Sequence, residues 1–101
     1  MLKQNSRGDF MNYSELHYIL CIAKHQNLTR AAQELYISQP TLTKHLQKLE
    51  REMGAKLFSR NGNTYVPNNN GRKYMEYAGK ILQVKQDWEK ELKDMTENNE
   101  G

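Results

Sequence analysis

The chain has 101 residues, enough for one small domain with a single core. One cysteine excludes an internal disulfide and a cysteine-rich zinc site, and no apolar run approaches the length of a membrane span. The net charge of +3 is unevenly spread: residues 11–73 carry nine basic and four acidic side chains, residues 74–101 four basic and seven acidic. A basic block beside an acidic end is the footprint of a phosphate-binding body whose far end works elsewhere.

Residues 1–10, MLKQNSRGDF, show no hydrophobic period and lack the apolar core of a secretory signal. They read as a flexible leader on a cytoplasmic protein. Asn12 opens the first expected helix, with Glu15 three residues on, a spacing that resembles a capping box. Leu16, Ile19, Leu20 and Ala23 form its buried stripe, and it ends near His25. Cys21 reads as a small buried hydrophobe. His17 and His25 are expected at the surface or a helix end. Neither is expected to have a Cys or carboxylate at metal-ligand spacing, so no metal and no cofactor is anticipated.

The stretch Asn27 to Gly54 reads as two helices around a tight turn. Leu28, Ala31, Ala32 and Leu35 stand at i, i+3, i+4 and i+7 behind the cap Asn27. The turn is Tyr36-Ile37, with Ile37 as its apolar plug. Ser38 caps the next helix and Pro40 sits in its first turn, where a missing N–H costs nothing. Leu42, Leu46, Leu49 and Met53 make the back of that helix, and Gly54 ends it. The opposite face holds Pro40, Lys44, Gln47 and Arg51, flanked by Thr41 and Lys48, and no acidic residue lies between Ser38 and Leu49. Such a front suits the DNA major groove, which admits one helix and is read by amides, cations and hydroxyls. The two alanines allow the close helix crossing that a helix-turn-helix needs.

Beyond Gly54, two β-prone runs flank Asn61-Gly62-Asn63, a hairpin signal with Arg60, Asn61 and Asn63 at its tip. Pro67 keeps the second strand short, and Asn68 can cap the next helix. From Arg72 to about Met95 runs one long helical pattern. Tyr74, Tyr77, Ala78, Ile81, Leu82, Trp88, Leu92 and Met95 lie near one side, and 81, 85, 88, 92 and 95 step as a heptad seam with Lys85 as its polar member. Residues 96–101 are expected to be disordered.

The run LTRAAQELYISQPTLTKHLQKLEREMGAKLFSR resembles the amino-terminal DNA-binding domain of LysR-type transcriptional regulators. TRAA, SQP, the ladder LQKLEREMG and LFSR recur there in this order, and the resemblance covers about residues 13–92. It implies a mainly α fold: a winged helix-turn-helix, with a three-helix core and a small β-hairpin wing, followed by a long linker helix that pairs two subunits. The domains would be a leader at 1–10, the winged helix-turn-helix at 11–67, the dimerisation helix at 68–95 and a tail at 96–101. The implied function is sequence-specific binding of double-stranded DNA by a homodimer, in the cytoplasm at the nucleoid. A small-molecule effector would act through a further carboxy-terminal domain that this chain does not contain.

Gln39, Thr41, Thr43 and Lys44 are then the candidates for base edges, being in the amino-terminal half of the recognition helix. Many members of the resembling family carry Ser and Arg in place of Thr43 and Lys44. Pro40 is placed for a thymine methyl or the backbone. Arg30, Lys48 and Arg60 are placed for phosphate or the minor groove, and Thr29 and Asn61 complete the set. His45, at the margin of the apolar stripe, fits a structural role as well as a DNA-facing one. The competing readings are a winged-helix module for protein interaction or oligomerisation, and a winged-helix regulator of another family. No Ser/His/Asp set and no glycine-rich phosphate loop suggests an enzyme.

Overall fold

A computed structural model describes residues 11–98. The order is α1 (Tyr13–His25), α2 (Leu28–Leu35), α3 (Gln39–Met53), β1 (Phe58–Asn61), β2 (Thr64–Pro67) and α4 (Asn69–Asn98). The expected leader at 1–10 and the last residues of the expected tail, 99–101, lie outside the described residues. None of the described helices is long and apolar enough to cross a membrane.

The caps expected from the sequence set the helix starts. Asn12 Oδ1 accepts the Glu15 N–H at 2.9 Å, Asn27 Oδ1 the Arg30 N–H at 2.8 Å, and Ser38 Oγ the Thr41 N–H at 3.2 Å. Each satisfies one of the donors that a helix start leaves free. α1 ends at Gln26 and α2 at Tyr36, both in the left-handed region, with φ of 55° and 59°. The Ile37 N–H then reaches back to Ala32 O at 3.1 Å, and the Ala55 N–H to Glu50 O at 3.1 Å after Gly54, so α2 and α3 close with the same six-to-one bond.

α1, α2 and α3 enclose one core. Leu16, Ile19, Ile22, Ala31, Leu42 and Leu49 are its innermost side chains, with Leu57, Phe58 and Tyr65 closing it from the hairpin and Tyr74 and Ala78 from α4. Leu20 and Ala23, expected in the buried stripe of α1, are only partly covered, while Cys21 and Ile22 are buried. The physical reason is that α1 is covered on several sides, by α2, α3, α4 and β2, so its apolar arc is wider than one stripe.

The hairpin pairs Phe58 with Pro67, Ser59 with Val66, Arg60 with Tyr65 and Asn61 with Thr64. Its two-residue loop is therefore Gly62-Asn63, and Asn61 is the last residue of β1. Gly62 has φ +63°, and Asn63 is not among the residues with positive φ. That pattern, with glycine first, belongs to the type II′ class, whose twist matches the flanking strands. A Cβ on Gly62 would meet nothing within 4 Å, so a substitution there acts through the backbone alone. Gly62→Val is expected to cost ~1–3 kcal/mol. It should lower the urea midpoint while leaving the helical circular dichroism in place. An unchanged midpoint would show that the turn accommodates a β-branched residue.

The main chain of Leu57 ties three elements together. Its N–H donates to Glu50 Oε2 of α3 at 2.8 Å, and its carbonyl accepts the Asn68 N–H at 2.9 Å. Glu50 is only 7% exposed, and its other oxygen lies 3.7 Å from Lys56 Nζ. The asparagine run after the hairpin is spent on this junction. Asn68 and Asn70 both donate side-chain N–H groups to Lys56 O, at 3.0 and 3.1 Å, and Asn68 Oδ1 accepts the Gly71 N–H at 2.9 Å. Asn68 thus caps α4, as its position in the sequence suggests.

α4 starts at Asn69, directly behind the expected Asn68 cap and ahead of the periodic pattern that begins at Arg72. It continues through residues 96–98, where a disordered tail is expected from the sequence. The stretch Lys90–Asp94 is rich in good helix formers, and Thr96 Oγ1 donates to Lys93 O at 3.0 Å, so nothing breaks the helix there.

Candidate nucleic-acid interface

α2 and α3 pack through their small and apolar faces, which turns the polar face of α3 outward. Pro40, Thr41, Lys44, Gln47, Lys48 and Arg51 are all exposed. Among the described residues, no ion pair engages Lys44, Lys48 or Arg51, so their charge is available to a partner. Glu50, on the inner flank of α3, is turned into the core, and this keeps the front positive.

Three candidates on α3 are already engaged. Gln39 Nε2 donates to Thr43 Oγ1 at 2.5 Å, and that hydroxyl donates to Gln39 O at 3.0 Å. The two form a half-buried pair one turn apart. Thr41 is tied to the helix cap, its hydroxyl accepting from Ser38 Oγ at 2.8 Å. His45 is exposed, with its ring 4.8 Å from that of Tyr18 on α1, a contact that fits the structural role.

The hairpin stands beside the start of α3. Asn27, Leu28, Thr29, Gln39, Arg60, Asn63 and Tyr65 line one polar recess of ≈ 230 Å³. It gathers the amino terminus of α2, the first residue of α3 and the wing. Arg60 is folded along the wing: its Nε donates to Gly62 O at 3.0 Å, and its guanidinium lies 5.3 Å from the Tyr65 ring centroid. The backbone anchors this placement, since the Tyr65 N–H donates to Gln26 O at the end of α1, at 3.0 Å. Arg30 is exposed on α2, and Asn61 is exposed at the end of β1. Thr29, Gln39 and Arg60 thus come together. Pro40, Thr41, Lys44 and Lys48 share the exposed face of α3, and Arg30 and Asn61 are at the surface of α2 and β1.

The sequence marks Tyr36 only as part of the turn. It is 94% exposed in a left-handed conformation, an aromatic ring held out beside the start of α3. A side chain in that conformation costs roughly 1–2 kcal/mol relative to glycine.

The second polar-to-apolar boundary runs along α4. Tyr74 and Ala78 are buried and Leu82 packs against the same core. Tyr77, Ile81, Val84, Trp88, Leu92 and Met95 are exposed. The single apolar side expected from the sequence is therefore two stripes, one packed on the domain and one open. Val84 continues the open stripe. Lys85, expected in the seam, instead pairs with Glu89 at 2.5 Å and lies 4.9 Å from the Tyr13 ring centroid.

Comparisons with known proteins agree with this architecture. The family described as "Bacterial regulatory helix-turn-helix protein, lysR family" matches residues 13–72. The HTH-type transcriptional regulator CitR of Bacillus subtilis is 39% identical over 72 residues, which is 71% of this chain and 25% of that protein. A probable cat1 operon transcriptional activator of Acinetobacter lwoffii is 36% identical over 72 residues, 71% of this chain and 24% of that protein. The chain spans about a quarter of the curated relatives it matches. Among solved structures, a complex of the CbnR DNA-binding domain with DNA superposes with a TM-score of 0.75 at 27% identity, covering 85% of this chain and 99% of that one. A BenM DNA-binding domain on benA site 1 DNA gives 0.77 at 29% identity, covering 85% and 97%. With a family match over more than half its residues, this chain belongs to the lysR family of bacterial regulatory helix-turn-helix proteins.

Proposed function

We propose that this chain binds specific sites on double-stranded DNA, as the DNA-reading part of a transcriptional regulator, and does so as a homodimer paired through α4. The observation that carries the reading is the unpaired cationic front of α3 set beside Arg60 of the wing. Lys44 would read base edges in the major groove. Gln39 and Thr43 would act as one preset unit, with the remaining donor and acceptor of the Gln39 amide facing the bases. Pro40 would lie against a thymine methyl or the backbone, and Thr41 would keep the start of α3 rigid against it. Lys48, Arg30, Thr29, Arg60 and Asn61 would hold phosphates or enter the minor groove. Membership of a regulatory family supports reading the protein as a regulator rather than an enzyme. The CbnR and BenM neighbours are complexes with DNA, which supports duplex DNA as the partner here.

The test separates reading from holding. Lys44→Ala is expected to weaken a selected site by ~1–3 kcal/mol and to relax its sequence preference. Lys48→Ala should weaken all duplexes alike and reduce the salt slope by about one. Fluorescence anisotropy across a salt series measures both. Unchanged affinity of Lys44→Ala for its selected site would remove α3 as the reading helix.

The open stripe of α4, with Tyr77, Ile81, Trp88 and Leu92, supports self-association, because soluble monomers seldom leave a long apolar surface uncovered. A two-fold pair covers the same patch on both copies and sets two recognition helices on one duplex. In the longer protein that the relatives' lengths suggest, a small-molecule effector would act through another domain.

A further inference from the structure

Cys21, His25 and Glu34 meet where α1 and α2 end. Cys21 and His25 are one turn apart on the inner side of α1, and Glu34 reaches them from the last turn of α2. Their donor atoms, a sulfur, a ring nitrogen and a carboxylate oxygen, all lie within 4.8 Å of one another. His25 Nε2 is 2.7 Å from Glu34 Oε1. The Cys21 thiol is buried, and its Sγ donates to Ala31 O at 3.6 Å. This corrects the expectation that neither histidine has a cysteine or carboxylate at ligand spacing. The Cys21–His25 spacing of four is the i, i+4 relation that places two ligands on one helix face. Glu34 joins only through the α1–α2 crossing.

We propose that Cys21, His25 and Glu34 form a site for one divalent transition-metal ion of the zinc class, which clamps α2 to α1. The donor set is the ground for the class. One thiolate, one imidazole and one carboxylate match a borderline-soft ion and suit calcium or magnesium poorly. Bond lengths of about 2.0–2.3 Å put the donors of a tetrahedral site about 3.5 Å apart, so the widest pair must close by on the order of 1 Å. His25 and Glu34 can supply that movement, because both side chains reach solvent while Cys21 is fixed in the core. Water would complete the tetrahedron.

The charge state of Glu34 favours the site, and that of Cys21 opposes it. Hydrogen bonds from His25, and next from Lys24, hold the Glu34 carboxyl down to about 2, so it is ionised at neutral pH. Burial, and then the neighbouring Glu34 charge, pushes the Cys21 thiol up, so the metal must displace its proton. That exchange balances simply. The S–H bond breaks, an S–metal bond forms and that proton passes to buffer; His25 gives up its bond to Glu34 and carries its ring proton on Nδ1, which leaves Nε2 free to bind, and no electron changes hands. One neighbouring group also opposes the site: Lys24 Nζ lies 3.0 Å from the same Glu34 oxygen and competes with any cation there.

That opposition supplies a diagnostic. In the full chain, kept reduced, Co2+ should produce thiolate-to-metal charge-transfer absorption, and Zn2+ should abolish it by displacement and raise the Tm. Cys21→Ser and His25→Ala should each remove the absorption while circular dichroism shows the fold retained. Glu34→Gln should weaken binding by at least the roughly ten- to hundredfold that losing an outer-shell partner costs. Lys24→Met should tighten it, since the competing ammonium is gone. Wild type with no charge-transfer absorption at saturating Co2+ would overturn the proposal. So would absorption that persists in His25→Ala, or weaker binding in Lys24→Met.

Discussion

Replacing Trp88 and Leu92 together with alanine is expected to give a folded monomer that binds a two-half-site operator about 10²–10⁴-fold more weakly. The fold should survive because neither side chain serves its own core. Trp88 is 55% exposed and Leu92 41%, whereas Tyr74 and Ala78, several turns earlier on the same helix, are buried. In a symmetric pair each side chain is buried twice, and burial of a Trp or Leu contributes roughly 1.5–3 kcal/mol. The double substitution therefore removes four buried groups from the pair and none from the domain. Single half-site affinity should stay unchanged, because the face of α3 is untouched. Sedimentation velocity decides the matter. A pair with Kd of about 1 μM should be mostly formed at about 10 μM. Wild type that remains monomeric there would mean that the open stripe of α4 serves another partner.

The second large effect is expected at Gly71. Gly71→Ala should lower stability by about 3 kcal/mol, the upper end of what overpacking costs. A Cβ at this position would stand 2.1 Å from Leu57 O and 3.1 Å from its carbonyl carbon, with Pro67 Cβ at 3.3 Å. The first two are backbone atoms held from both sides, so neither can swing away as a side-chain end could. To relieve the clash, α4 must lift, which breaks the Asn68–Leu57 bond and loosens the Asn68 cap. Gly79 of the same helix is the control. Its Cβ would meet nothing within 4 Å, and Gly79→Ala should stabilise the protein by ~0.4–1 kcal/mol through the unfolded chain. Urea unfolding of the two variants should move the midpoint in opposite directions, and an unchanged or raised midpoint in Gly71→Ala would show that Leu57 gives way.

What the sequence discloses is local. Asn12, Asn27, Ser38 and Asn68 cap where their positions predict, since a cap is settled within three residues. Leu42, Leu46 and Leu49 are buried as their spacing requires. Contacts set by helix crossings are hidden from it. Glu50 counts as polar in any periodicity, yet it is buried, because the free N–H of Leu57 seven residues on needs its carboxylate. Lys85 fits the heptad by arithmetic, but Tyr13 and Glu89 draw it off the seam and leave Val84 in the stripe. Gln39 and Thr43 stand out in the sequence as two independent DNA-facing residues, although their i, i+4 spacing is also the signal that they can bond each other. The end of α4 falls later than the sequence predicts because polar composition imitates disorder, where helix propensity is the better guide.

The Leu57 junction also has a mechanical meaning. α4 has 30 residues, a rod about 45 Å long at the helical rise. Its first turns are clamped to the domain by the Asn68 cap, by Tyr74, Ala78 and Leu82, and by Lys85 against the Tyr13 ring. The turns beyond stand clear as a cantilever, and a bend of about ten degrees where the clamp ends would move the tip by roughly 3 Å. A load on that tip is borne by the clamp, which the Leu57 main chain ties to α3 through Asn68 on one side and Glu50 on the other.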